Sequence, residues 1–169
     1  MLNSDDALSM LKQAGCSESV INHCKAVSRN ALMIANKIKS KGHYVDLNFL
    51  EIAALLHDIG RSKIHGISHG IEGAKILKDF PDIARVCESH IGAGLTKDEA
   101  VSLGLPEKNY LPETLEEKII AHADNITEGN RIIPIERTIK KLESRLGKNS
   151  SALIRMKELN DYIEGLMKK

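Results

Sequence analysis

Aromatic side chains are scarce in this sequence. Its 169 residues include no Trp, two Phe and three Tyr, although 42% of all residues are hydrophobic. A chain of this length can bury a sizeable core, and we expect residues 1–169 to form one domain. That core must be built from Ile, Leu, Val and Ala, a composition that suits packed helices. The lack of aromatic side chains also argues against stacking platforms for single-stranded nucleic acid.

Excess charge, paired cysteines and long apolar runs are missing too. The formal net charge of +1 is too small to indicate electrostatic binding to a nucleic-acid polymer or to an anionic membrane. No apolar run is long enough to cross a bilayer, and the first ten residues lack the layout of a signal peptide. Cys16, Cys24 and Cys87 are odd in number and lack CxxC spacing, which favours a reducing compartment. We therefore expect a cytoplasmic protein.

What the sequence does contain is helical periodicity, with almost no strand alternation. A first helix is expected over Ser4–Ala14, and Ser17 is a good N-cap for the second. Near the C-terminus, Pro134 is expected in the first turn of a helix, and Asn149 is expected to cap the last one. Residues 134–168 then form an amphipathic helical scaffold, and the predicted fold class is all-α.

A His-Asp doublet, His57-Asp58, closes an apolar helical run in the segment EIAALLHDIGRSK. Such a pair is costly to bury unless something binds it. His23 borders the apolar stripe of the second helix, and Asp124 lies on the inward side of a later helix. Three separate helices thus direct ionisable groups inward. Imidazole nitrogen and carboxylate oxygen together suit a divalent transition metal such as Fe, Mn, Co, Ni or Zn.

Each of these residues also has a plainer explanation. A single histidine on an apolar stripe, such as His23, is usually a hydrogen-bonded core residue. Asp58 could be a helix cap, and Asp124 could be solvated or paired with Arg131. Their combination is what favours a metal site.

The series His23, His57-Asp58 and Asp124 resembles the H…HD…D signature of the HD-domain superfamily of metal-dependent phosphohydrolases. HDIGRSK is similar to the HDIG subgroup, and HGIEGAKIL and AHADNI resemble its further-histidine and closing-aspartate segments. The resemblance covers about residues 20–127 and is greatest to small, mainly archaeal HDIG proteins of undefined substrate. It implies an all-α HD-domain helical bundle in which these four residues bind one metal.

The resemblance also implies roles for His69 and His90. They match two positions that bind a second metal in two-metal subgroups, such as cyclic-di-GMP phosphodiesterases of the HD-GYP type. Those enzymes usually have another histidine where this chain has Ile91. One metal is therefore expected and a second is left open. With one metal only, we expect His69 and His90 to face the substrate phosphate.

Basic residues beside such a site would bind the phosphate. Arg61 matches the basic position after the family's glycine, and its planar guanidinium suits phosphate oxygens. Lys63 is a weaker candidate in the same loop, and a solvated charge is the alternative for both.

The function predicted from this set is hydrolysis of a phosphate mono- or diester, of a nucleotide or nucleotide-like small molecule. The expected catalytic residues are Asp58, His69, His90 and Arg61. Two alternatives remain open at this point. One is a regulatory module that binds metal and nucleotide with little or no turnover, and the other is a helical interaction protein with coincidental histidines.

Overall fold

The computed structural model describes residues 2–168, and most of these residues are helical. In chain order the α-helices are α1 (Ser4–Ala14), α2 (Glu18–Ser40), α3 (Leu47–Leu56), α4 (His69–Ile76), α5 (Pro81–Ser89), α6 (Lys97–Ser102), α7 (Leu115–Asn125), α8 (Ile135–Leu146) and α9 (Ser151–Lys168). A 3-10 turn (Ile59–Ser62) follows α3, and the strands β1 (Thr127–Glu128) and β2 (Arg131–Ile132) form a short antiparallel hairpin. The predicted all-α class is confirmed.

Helix α3 lies at the centre of the bundle. It packs against α1, α2, α5 and α7, and side chains such as Leu50 and Leu56 are fully buried. Each leucine buried in this way contributes about 1.5–3 kcal/mol to stability. The Asp46 side chain caps the start of α3 by accepting a hydrogen bond from the backbone N–H of Phe49 (3.0 Å). The C-terminal end of this helix delivers the His-Asp doublet to the interior.

Two helix starts near the C-terminus differ from the sequence prediction. The cap of α9 is Ser150, whose hydroxyl accepts a hydrogen bond from the backbone N–H of Leu153 (3.3 Å), so the predicted Asn149 cap is wrong by one residue. Pro134 lies just outside α8 as its N-cap. Its ψ of 140° is extended, and the helix therefore begins one residue later than predicted.

Glycines let α4 approach its neighbours at backbone distance. A Cβ atom on Gly60 would lie 1.9 Å from the carbonyl oxygen of His69 and 2.4 Å from the nitrogen of Gly73. A Cβ on Gly70 would lie 2.4 Å from the carbonyl oxygen of Cys87. The 3-10 turn therefore packs on one side of α4, and α5 packs on another, only because both positions lack a side chain.

The two C-terminal helices differ in burial. Helix α9 buries Leu153, Met156, Leu159 and Ile163 against the bundle. Helix α8 buries none of its residues, although Leu142 is partly covered. Among the described residues no helix is both long and apolar enough to span a membrane.

Candidate metal centre

The structure brings all six predicted metal-site residues together, and most of them lie at helix ends. They are His23 on α2, His57 at the end of α3, Asp58 directly after it, His69 at the start of α4, His90 at the end of α5, and Asp124 in the last turn of α7. Up to 101 residues of sequence separate these side chains. Their meeting is therefore a product of the helix packing.

One part of the cluster surrounds Asp124, and we call it the Asp124 side. Oδ1 of Asp124 lies 2.9 Å from Nε2 of His23 and 3.6 Å from Nε2 of His57. Oδ2 of Asp58 faces the same two nitrogens, at 3.9 Å from His23 and 3.8 Å from His57. His23, His57 and Asp58 form one compact group of possible ligands here, and Asp124 forms another with His57 and His90.

The other part, the His90 side, uses the second oxygen of Asp58. Oδ1 of Asp58 lies 3.1 Å from Nε2 of His69 and 3.4 Å from Nε2 of His90. The two Nε2 atoms are 3.1 Å apart. These three ligand atoms are close enough to hold one ion together. Asp58 is therefore shared by the two sides.

All four histidines are oriented in the same way. Each ring has its Nδ1 within hydrogen-bond distance of a backbone carbonyl oxygen, which can only accept, so Nδ1 must carry the proton. The pairs are His23 with Gly129 (2.9 Å), His57 with Ala54 (2.7 Å), His69 with Gly66 (2.8 Å) and His90 with Cys87 (2.8 Å). This arrangement leaves Nε2 of the neutral ring with a free lone pair, as metal-binding histidines require.

Two polar atoms of the cluster are buried without a hydrogen bond. Nε2 of His57 has no partner among the described residues, and neither does Oδ1 of Asp58. Nε2 of His69 lies near Oδ1, but it has no proton to donate when Nδ1 carries the ring's proton. An unsatisfied buried polar atom costs about 1–3 kcal/mol unless a ligand satisfies it. The donor set and these two atoms fit a divalent transition metal.

The two carboxyl groups are held in the ionised form. Burial raises the pKa of Asp58, but the neighbouring imidazoles, His57 first and then His69 and His90, outweigh burial and bring it well below its usual value. Burial also acts against ionisation of Asp124, where the neighbouring His23 and His57 lower the pKa. Burial lowers the pKa of His90, which favours the neutral ring. Anionic oxygens and at least one neutral imidazole are thus presented together.

The two predicted phosphate-binding residues behave differently. Nε of Arg61 donates a hydrogen bond to Oδ2 of Asp58 (2.6 Å), and its Nη1 donates to the carbonyl oxygen of His65 (3.3 Å). Arg61 therefore lies at the cluster and positions one of its carboxylates. The side chain of Lys63 is exposed in the loop that follows.

The hairpin beside the cluster was not predicted from the sequence. The carbonyl of Gly129, at the tip of this hairpin, orients His23. The signal was present, because Gly129-Asn130 between two short strands is a typical hairpin turn. Asn125 was missed as well. Its side-chain amide donates to the carbonyl of Gly92 (2.8 Å) and connects the end of α7 to the segment after His90.

Comparison with known proteins yields full-length and partial relatives. An uncharacterised protein of Methanocaldococcus jannaschii is 52% identical over 167 residues, covering 97% of this chain and 98% of that protein. A tRNA (cytidine(56)-2'-O)-methyltransferase of Picrophilus torridus is 40% identical, covering 97% of this chain but 47% of the relative. The enzyme of the same name from Thermoplasma volcanium is 43% identical over 135 residues, covering 78% of this chain and 38% of the relative. The chain thus spans less than half the length of these two methyltransferases.

Solved structures and a family model indicate the fold. The HD domain of the L. monocytogenes phosphodiesterase PgpH aligns with a TM-score of 0.52 and 18% identity, covering 95% of this chain and 98% of that one. A protein described as a predicted HD-superfamily hydrolase, from an uncultured Thermotogales bacterium, aligns with a TM-score of 0.50 and 20% identity, covering 98% and 89%. The family model for the HD domain matches residues 20–129, which include the Asp124 side and the His90 side. The chain therefore belongs to the HD-domain family.

Proposed function

We propose that this protein is a metal-dependent phosphohydrolase that acts on a phosphate mono- or diester of a small molecule. The finer part of the proposal is the nucleotide or nucleotide-like substrate predicted from the sequence. The main observation in its support is that four histidines, each fixed through Nδ1, direct Nε2 towards two ionised carboxylates. The HD-domain family of the chain supports the same chemistry.

We further propose that the cluster holds two divalent ions, with Asp58 as the shared ligand. The possible ligands form overlapping groups of three, and Asp58 belongs to two of them, one with His23 and His57 and one with His69 and His90. This differs from the single ion that the sequence alone favoured, because the two oxygens of Asp58 face different histidines. Divalent ions in such a cluster would lower the pKa of a bound water and polarise the phosphoryl oxygen.

The protein's own groups would then handle protons and orientation. Ionised Asp58 can accept a proton from the attacking water, while Arg61 holds its carboxylate in place. On His69 and His90 only Nε2 can exchange a proton, because Nδ1 is committed to the backbone. If a single ion is bound, at the Asp124 side, a protonated Nε2 on one of them would donate to the leaving oxygen. With two ions bound, both Nε2 atoms would be ligands, and water would supply that proton. The part of the Arg61 guanidinium not bonded to Asp58 would contact the equatorial oxygens of the phosphate.

The test combines metal analysis with phosphate release. Purified protein, stripped with chelator and reloaded with Mn, Co, Ni, Fe(II) or Zn, is assayed on aryl phosphate mono- and diesters. We expect His57→Ala to lose its bound metal and its activity. His69→Ala should lose one equivalent of metal and most of the turnover. His43→Ala, a histidine outside the cluster, is the control and should match the wild type.

Two outcomes would contradict the proposal. If His57→Ala retains wild-type metal after chelation and reloading, the Asp124 side is not the primary site. If His69→Ala keeps the same metal content as the wild type, the two-ion arrangement is wrong. A metal-loaded protein that binds nucleotide without releasing phosphate would instead favour the regulatory module.

A second candidate is hydrolysis of a phosphate group on RNA. It is favoured by the two relatives named tRNA methyltransferases, in which the region similar to this chain is part of a longer protein. The test is phosphate release from tRNA that carries a 2'- or 3'-phosphate, compared with the matching mononucleotide. A clear preference for the tRNA would support this candidate over the small-molecule ester.

A further inference from the structure

An apolar groove of about 470 Å³ lies beside the metal centre. Ile67, Ile91 and Leu95 line one part of it, and Leu142 and Leu146 of α8 line another. Arg145 is the one charged residue among its lining, and it is exposed at the surface. Grooves of this volume are typical of small-molecule sites.

The groove begins where the His90 side ends. Ile91 follows His90 directly, and Ile67 precedes His69 by two residues. The tip of the Ile91 side chain lies 3.4 Å from the point where a Cβ on Gly70 would be, so it packs onto the first turn of α4. Two residues of the groove wall are therefore close neighbours, along the chain, of two histidines of the cluster.

The Asp124 side is connected to the groove as well. Asn125, the residue after Asp124, donates its side-chain amide to the carbonyl of Gly92 in the groove lining (2.8 Å). The hydroxyl of Thr138 on α8 donates to the carbonyl of Asn125 (2.7 Å). This bond connects α8 to the residue that follows a candidate metal ligand. Helix α8 also supplies Leu142 to the groove.

Several backbone polar groups of the lining are already paired. The carbonyl of Gly92 is taken by Asn125, and that of Gly94 by Nη2 of Arg155 (3.1 Å). The N–H and the carbonyl of Leu95 both pair with the backbone of Tyr110. The groove therefore offers apolar contact and few free hydrogen-bonding groups, so a hydroxyl-rich ligand would be desolvated there without compensation.

We propose that this groove binds the organic group of the phosphate ester, and that the substrate is an ester whose organic group is largely apolar. This rests on the proposed function, since the phosphate must lie on the metal centre. Aryl and alkyl esters meet the requirement, and a nucleotide meets it through the faces of its base, whereas a simple sugar phosphate does not. Leu142 and Ile91 are then residues that determine specificity.

The experiment compares two esters with leaving groups of similar acidity and different apolar surface. The kcat/KM of the Mn²⁺-loaded protein is measured on 1-naphthyl phosphate and on phenyl phosphate. We expect the kcat/KM of the wild type to be about tenfold higher for the naphthyl ester. This is the lower end of the range in which an apolar pocket discriminates between ligands that differ by a small apolar group. Leu142→Ala should bring this ratio close to one, because it removes apolar contact that the larger ring gains in the groove. Ile154→Ala, an exposed isoleucine on α9 outside the groove, should keep the full preference.

Equal kcat/KM values for the two esters in the wild type would overturn the inference and leave the hydrolase function intact. If Leu142→Ala dissociates an oligomer in light scattering and leaves the ester preference unchanged, the groove is an interface between copies and the inference is wrong. If neither ester is hydrolysed, the monoesterase form of the proposed function fails. The groove is then tested by equilibrium binding of 1-naphthylphosphonate and phenylphosphonate to the Mn²⁺-loaded protein. A naphthyl preference that Leu142→Ala removes would support the inference, and equal affinities would overturn it.

Discussion

Substituting Gly60 by alanine should damage the metal centre without touching a ligand. Gly60 lies in the 3-10 turn after the His-Asp doublet, with its α-carbon against the start of α4. A methyl group there would lie 1.9 Å from the carbonyl oxygen of His69. Ordinary van der Waals contact begins at 3.4 Å, so α4 must move away by about 1.5 Å. The obstacle is backbone, and no side-chain rotation can relieve it.

That displacement has two measurable consequences. Overpacking of this kind costs about 3 kcal/mol, the upper part of its usual range. For a chain of 169 residues this lowers Tm by about 6–12 °C. The same movement draws Nε2 of His69 away from Oδ1 of Asp58, which is 3.1 Å distant in the structure. Because metal–ligand distances tolerate only about 0.2 Å, the His90 side should lose the ion that we propose it binds.

The assay is thermal unfolding by calorimetry together with metal analysis after reloading. Gly165→Ala is the matched control, because that glycine lies inside α9 with open space around its α-carbon. It should stabilise the protein by about 0.5–1 kcal/mol through its higher helix propensity. A Gly60→Ala protein with wild-type Tm and full metal content would refute the reasoning about backbone contact.

Three further predictions concern single side chains. The guanidinium of Arg61 holds the Asp58 carboxylate, so Arg61→Ala should lower kcat/KM by about ten- to hundredfold. Arg61→Lys should lower it by less, and both values are measured in steady-state assays at constant metal content. Burial raises the pKa of Glu99, but the hydrogen bonds from Arg155 outweigh burial and lower this pKa to about 2. The ionised carboxylate therefore stabilises the fold fully above about pH 4.5, and the stabilisation is lost as the pH falls to about 2. Glu99→Gln should therefore reduce the unfolding free energy by about 1 kcal/mol at pH 7 and converge with wild type near pH 2, as measured by urea denaturation. Burial raises the pKa of the Cys16 thiol from 9.0 to about 11. Iodoacetamide should therefore alkylate Cys16 at pH 8 about a hundredfold more slowly than it alkylates a free thiol. A rate like that of free cysteine would contradict this prediction.

Local signals made much of the fold predictable from the sequence. Helix caps such as Ser17 and apolar stripes depend only on residues close together in the sequence. Helix α1 and the start of α2 lie where these local signals predict them. His23 and Asp124 could be placed inward on the same grounds. Asn149 failed as a cap because Ser150 offers an equivalent oxygen one residue later, and local preference alone does not separate the two.

The position of Asp58 between two pairs of histidines could not be predicted in this way. It depends on α4 and α5 approaching until Nε2 of His69 and of His90 both face one carboxylate oxygen. That approach is set by glycines at Gly60 and Gly70, whose significance appears only once the neighbouring backbone is known. The groove beside the centre is equally non-local, since it combines segments that are far apart in the sequence.

The location of the ligands at helix ends restricts where the chain can change length. His57 and His90 follow the last residues of α3 and α5, and His69 is the first residue of α4. One residue inserted inside α5 would turn His90 by about 100° relative to the helix face that packs on the bundle. An insertion in the loop before Pro81 leaves that register untouched. Length variation among related chains is therefore expected in the connections away from the metal centre, and one-residue insertions within these helices should be rare.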